Sequence, residues 1–318
     1  MIKPYPLMFS PVCKERVWGG SSLDKMVNCK NPGQGPIGEA WIVSDHPEGK
    51  TRIMNGAFSG RFLSEIKQTH QTWFSPFPMA KFPLLVKLLD AADDLSVQVH
   101  PDDAYAITHE HDGSGKTECW YIIDAKPGSE IILGHTAKDR SEFIELAQAQ
   151  RWNDLLVRVP VKAGDFFFIP SGSIHALGKG ILLLEVQQNS DTTYRIYDYD
   201  RAGLDGRKRA LHIEKAFDVI DFTQSNDHPK PRIVYEDTIE RTVFISCEYF
   251  TVEKWTINSM HIFAPLEVFL LIYIVSGNGH LLYEDGLLHL SKGLSIMIPA
   301  NMGKYRIEGS IEAIACHI

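Results

Sequence analysis

Two twelve-residue stretches of this chain share one frame without a gap: Gly164-Asp165-Phe166-Phe167-Phe168-Ile169-Pro170-Ser171-Gly172-Ser173-Ile174-His175 and Gly293-Leu294-Ser295-Ile296-Met297-Ile298-Pro299-Ala300-Asn301-Met302-Gly303-Lys304. Each opens on glycine, runs through five mostly apolar residues and closes on proline. Two residues later stands Gly172 or Asn301, both types that tolerate positive φ in a turn. A strand–turn unit repeated in this way restricts the fold to two related β-barrels. The copies differ at their last position, His175 against Lys304.

Other apolar segments read the same way. Pro83–Leu89, Leu95–Val99, Cys119–Ile123, Phe166–Ile169, Ile181–Val186 and Phe250–Ile257 are short and bounded by Gly, Pro or Asp, as strands are. Wider apolar spacing predicts helices over Gly60–Trp73, Ser141–Trp152 and His212–Phe222. Pro101-Asp102-Asp103-Ala104 looks like a short helix start, with proline and acids in the first turn. The expected class is mainly β, with a few peripheral helices. Residues 1–225 are expected to form the metal-binding catalytic domain and 226–318 a degenerate β domain without metal. Asp221–Pro231 reads as the linker.

A chain of 318 residues with 44% apolar content can bury a large core. Its net charge of −8 gives no basic footprint for nucleic acid. The five cysteines are scattered without a C-x-x-C pair, so a disulfide framework is not expected and a reducing cytosol fits. Met1–Pro6 carries no apolar run of signal-peptide length, and Val268–Val275 is far short of the ~20 residues of a membrane helix. A soluble, cytoplasmic protein without membrane partners is expected.

Chemistry enters with Ser96-Val97-Gln98-Val99-His100. Side chains alternate along a strand, so Ser96, Gln98 and His100 share a polar face while Val97 and Val99 pack. Glu118 opens the strand Glu118–Ile123, where an unpartnered buried carboxylate would cost several kcal/mol. His175 follows an almost wholly apolar strand. One divalent cation would satisfy His100, Glu118 and His175, with Gln98 as a further oxygen donor and room left for water or substrate. Two histidines and a carboxylate also suit non-haem iron. Gln98 leans toward a redox-inert Lewis acid, zinc first.

Cations lie close in sequence. Lys87 interrupts the apolar run Leu84–Leu89 and either snorkels or points into a cavity. Lys116 precedes Glu118 by two residues, and Arg195 is placed on one face with Thr193 and Tyr197. Three such cations beside a metal suit a phosphorylated substrate. Gly19-Gly20 and Gly113-Ser114-Gly115 lack the spacing of a nucleotide cradle.

Residues 164–175 match the second motif of the cupin superfamily, although Lys179 stands where an asparagine is common. Ser96-x-Gln98-x-His100-Pro101-Asp102, Lys116-x-Glu118, His175 and Ser190-Asp191-x3-Arg195 together resemble the type I mannose-6-phosphate isomerases. Arg16-Val17-Trp18-Gly19-Gly20 and Gly38-Glu39-Ala40-Trp41 look like that family's N-terminal segments. The likeness runs from about residue 5 to 318, and its short form lacks a long helical insertion. It implies two cupin-like jelly-roll barrels and one zinc per chain on Gln98, His100, Glu118 and His175. It also implies a sugar-phosphate cavity lined by Ser96, Lys87, Lys116, Glu185, Asp191 and Arg195, in a monomer or weak homodimer.

The implied reaction moves a proton between C1 and C2 of mannose 6-phosphate or fructose 6-phosphate through an enediol-type species. In it Arg195 and Lys116 hold charged oxygens, and Lys87 and Ser96 face the phosphate. Glu185, Asp191, Lys116 and a metal-bound water stay open as the base. A cupin iron oxygenase and a non-catalytic sugar-phosphate-binding cupin are the competing readings.

Overall fold

The computed structural model describes residues 2–27, 29, 35–111, 113–223 and 229–318. Among them are 21 strands and six short α-helices, so the class is mainly β as expected. The strands pair into sheets of ten, six and five strands whose edges stay open rather than closing into cylinders. Strands form at Leu84–Ala91, Val97–Val99, Glu118–Ala125, Phe166–Ile169, Ile181–Gln188 and Thr251–Ile257, each within a few residues of its expected place. The helix at Asp103–His109 is capped by Asp102, whose carboxylate accepts from the Tyr105 amide. Helices also form at Leu63–Thr69, Arg140–Gln148 and Ile213–Val219.

Alternation along the six-stranded sheet sorts the side chains that matter. Leu84, Val86, Leu88, Cys119, Tyr121, Leu184 and Val186 turn to one face and pack against Phe244, Phe250, Leu271, Tyr273, Ile314 and Cys316 of the ten-stranded sheet. The opposite face carries Leu89, Trp120, Ile122, Ile181 and Leu183, which pack against Ile131, Leu133 and Leu177 of the five-stranded sheet. Lys87, Glu118 and Glu185 have the same parity as this second set. They therefore face the gap between the six- and five-stranded sheets. The outer face of the five-stranded sheet is covered by helical residues such as Phe143 and Ala216.

The internal repeat is visible in the backbone. Gly164 and Gly293 take φ of 91° and 89°, and Gly172 and Asn301 take 84° and 59°. Strands Phe166–Ile169 and Ser295–Ile298 occupy equivalent places in the two copies. His175 is buried, whereas Lys304 is exposed. Of the expected linker, residues 224–228 lie outside the described residues.

Two features were not anticipated. Leu7–Ser10, near the start of the chain, pairs antiparallel with Ser295–Ile298 near its end. The reading of the cysteines also needs correction, because Cys13 and Cys29 form a disulfide with Cα atoms 5.9 Å apart. Cys13 lies in the strand Val12–Gly20 and Cys29 in the connection between that strand and Ile37–Val43, an arrangement that scattered spacing does not reveal. Cys119, Cys247 and Cys316 are free thiols.

Candidate metal and substrate site

His100, Glu118 and His175 converge from different strands and loops, all fully buried, with ligand atoms within 4.8 Å of one another. His175 pairs in register with Gln98 on one side and Leu133 on the other. Glu118 reaches across from the facing sheet, its oxygens 3.4 Å from His175 Nε2 and 3.5 Å from His100 Nε2. Both imidazoles are oriented by their second nitrogen. His100 Nδ1 donates to the Thr192 carbonyl at 2.8 Å and His175 Nδ1 to the Ser173 carbonyl at 3.0 Å. That tautomer leaves both Nε2 lone pairs aimed inward, the arrangement of metal-ligating histidines.

Burial pushes His175 down to about 4, and burial with the Lys116 charge drives His100 well below its usual value, so both rings are neutral near pH 7. The two Glu118 oxygens are buried and accept no hydrogen bond of good geometry. A buried carboxylate with an ion pair to Lys116 but no well-formed hydrogen bond, beside two inward lone pairs, is a donor set that a divalent cation completes. The Gln98 amide nitrogen stands 3.2 Å from His175 Nε2, and turning the amide over would present its oxygen instead. Lys116 supplies positive charge at the same spot, 2.8 Å from Glu118 Oε2 and 3.2 Å from His100 Nε2.

Beside this cluster lies a cleft lined by five cations (Arg16, Lys87, Lys116, Arg195, Arg209) and three carboxylates (Glu39, Glu185, Asp191). Ser96, Gln98 and Thr193 also line it. Lys87 does not snorkel. It is buried, 3.3 Å from Asp191 and 3.6 Å from Glu185. Burial opposes its charge, but Asp191, Glu185 and Glu39 more than compensate and hold it above the ordinary lysine value. Glu185 is buried and pairs in register with both Lys87 and Trp120. It accepts from Trp120 Nε1 at 2.9 Å. Burial and the nearby Glu118 raise its proton affinity. Arg195 sits beside Gln98 in the five-stranded sheet, and its buried Nε finds no hydrogen-bond partner. Burial and the neighbouring Arg209 charge weaken its hold on its proton.

All ten residues named from sequence meet here, seven of them lining the cleft, with His100, Glu118 and His175 at its base. Lys116 stands in the loop before its strand, where its amide donates to the Pro101 carbonyl. The expected common face of Arg195 and Tyr197 is broken by a register shift between them. Tyr197 instead stacks on Trp152, centroids 4.6 Å apart. Three charged cleft residues were not read as such: Arg16, Glu39 and Arg209. Glu39 was detectable, as a charge inside the otherwise apolar Ile37–Val43. It accepts from Arg16 Nε and Trp41 Nε1, each at 2.7 Å. Arg209 left no local trace; it is held by Asp198, which also binds Arg201.

Comparison with known proteins gives a consistent family. The profile of the phosphomannose isomerase type I catalytic domain matches residues 7–140, and that of the mannose-6-phosphate isomerase cupin domain matches 240–318. The chain is 45% identical over 314 residues to a probable mannose-6-phosphate isomerase of Bacillus subtilis, covering 98% of this chain and 99% of that one. It is 42% identical over 312 residues to a mannose-6-phosphate isomerase of Streptococcus mutans, covering 98% of each. The crystal structure of the mannose 6-phosphate isomerase from Bacillus subtilis superposes with a TM-score of 0.94 at 41% identity, over 98% of this chain and 99% of that one.

Proposed function

This chain belongs to the type I mannose-6-phosphate isomerases, and from that premise we propose that it interconverts mannose 6-phosphate and fructose 6-phosphate with one zinc ion per chain, through an enediol-type intermediate. The observation that carries the metal is the convergence of the buried Glu118 carboxylate with two inward-facing imidazoles, their ligand atoms within 4.8 Å of one another. His100, Glu118 and His175 would hold the ion, with the Gln98 oxygen as a fourth donor. When bound, zinc polarises the carbonyl and hydroxyl oxygens and stabilises negative charge that develops there.

The chain's own residues divide the remaining work. Lys87 and Ser96 take the phosphate end of the sugar, and the cationic excess of the cleft favours a doubly charged group there. Lys116 and Arg195 hold charged oxygens at the reacting end. Lys116 is in contact with the ligand set, and Arg195 is the in-register neighbour of Gln98. Glu185 moves the proton between C1 and C2. Of the two open carboxylates it is the buried one, and its raised proton affinity brings it closer to neutral pH, where a general base works best. Asp191, at the rim, keeps Lys87 charged and in place.

The reading is tested by a coupled assay on fructose 6-phosphate. Treatment with chelator should abolish turnover and zinc should restore it, at a stoichiometry near one ion per chain. Full activity in metal-free protein, or a second bound ion, contradicts it.

A further inference from the structure

The strand Ile181–Gln188, which carries Glu185, ends on a residue that does not line the cleft but whose side chain reaches the segments that build it. Gln188 Oε1 accepts from the Thr117 amide at 2.8 Å, and the Gln188 amide donates to the Thr117 carbonyl at 3.1 Å. Both main-chain groups of Thr117 therefore end on Gln188. Thr117 stands between Lys116 and Glu118, so this hold fixes the stretch of chain that delivers both. Gln188 Nε2 points elsewhere, 3.1 and 3.2 Å from the two Asp103 carboxylate oxygens. Its partners set the orientation of this amide, because the Thr117 N–H needs an acceptor and the carboxylate needs a donor.

Asp103 begins the helix that follows His100-Pro101-Asp102, and its Oδ1 also accepts from the Gly115 amide at 2.7 Å. One glutamine amide thus joins the segment after His100 to the segment before Glu118. The third imidazole-bearing segment meets the same point. Thr117 Oγ1 accepts from the Ser171 amide at 3.3 Å, in the turn that leads to His175. Gly172, next in that turn, donates to the His100 carbonyl at 2.8 Å. On the other side of Gln188, the Gln187 side chain donates to the carbonyls of Gln188 and Ser190 and curls the chain. That curl precedes the Thr192 carbonyl, which holds His100 Nδ1.

His100, Glu118 and His175 come from separate stretches of the chain, so an ion shared among them depends on groups that fix those stretches relative to one another. We propose, on the metal reading given above, that Gln188 is a positioning residue for this centre. It touches neither ion nor sugar. It holds the backbone beside Glu118 and the helix after His100 at one separation, through bonds whose donor–acceptor polarity is fixed. That polarity can be reversed without changing shape. Gln188→Glu sets a carboxylate against Asp103 and removes the donor. Asp103→Asn added to it restores a donor facing an acceptor, while the new amide oxygen still accepts from Gly115.

Zinc affinity of the full chain, measured by competition with a chromophoric chelator, tests this. Gln188→Glu should weaken zinc about tenfold. In the metal-free chain it should also speed amide exchange over Gly115–Glu118 about tenfold. The double variant with Asp103→Asn should bring both back to within about threefold of the parent chain. A residue that only stabilises the fold gives additive losses instead. Should Gln188→Glu fail to fold, Gln188→Met, uncharged and of similar length, serves and should show the same two tenfold losses. Parental zinc affinity and exchange in the single variant, or losses that Asp103→Asn does not reverse, would overturn the role of Gln188 alone. A parent chain that takes up no zinc would refute the metal reading, and the role of Gln188 with it.

Discussion

At the scale of single residues, the proposed proton carrier Glu185 and the buried ion pair make the sharpest claims. Glu185→Gln keeps size and the Trp120 bond but removes the base. It should lower kcat about 10²–10⁴-fold with little change in KM or zinc content, read by steady-state assay and metal analysis. Unchanged kcat would remove Glu185 from the reaction. Glu39 makes a different claim. Burial would raise its proton affinity, but Arg16 and Lys87 outweigh burial and hold it at about 2, against 4.5 when free. Between those values the unfolded chain binds the extra proton, so stability rises with pH. The Glu39 contribution is complete above pH 4.5 and is lost as pH falls toward 2. Denaturation at stepped pH should show this acid limb, and Glu39→Gln should flatten it while costing about 3 kcal/mol at neutral pH. The candidate metal ligands were legible because strand alternation and the repeat fixed where each would point. Arg16 and Arg209 were not, because their partners Glu39 and Asp198 lie 23 and 11 residues away and pair across loops that leave no local pattern.

At the scale of elements, short apolar runs between turn residues identified the strands that carry the site. The strand face of Lys87 remained open until Leu84, Val86 and Leu88 were seen packing on the opposite sheet. What sequence did not reveal were local departures from regularity. The shift after Arg195 breaks the period of two, so the reading failed at Tyr197 while holding at Arg195 itself. The Cys13–Cys29 link likewise joins the strand Val12–Gly20 to the connection that follows it, a contact that no local pattern announces. With its cysteines 16 positions apart, the disulfide should restrict the unfolded chain by about 3 kcal/mol. Replacing both cysteines by serine should lower the denaturation midpoint accordingly and leave kcat within about twofold, because neither cysteine lines the cleft. Equal stability of the oxidised chain and the double variant would contradict this.

At the scale of the whole molecule, one core binds the first half of the chain to the last. Tyr121 and Phe166 of the six-stranded sheet pack on Phe244 of the ten-stranded sheet, Phe166 at 4.6 Å and 3°. Heating should therefore give one cooperative transition with equal calorimetric and van't Hoff enthalpies. Two separated transitions would show that the sheets fold independently.

The pairing of Leu7–Ser10 with Ser295–Ile298 has a consequence for synthesis. A ribosome delivers Met8 long before its partner Ile296, 288 positions on. At cellular elongation rates that interval is roughly 15–60 s. Throughout it the edge that Leu7 and Met8 present to Met297 and Ile296 has no partner. The fold is thus closed last at its beginning, and any factor that shields emerging polypeptide has its longest task at Leu7 and Met8.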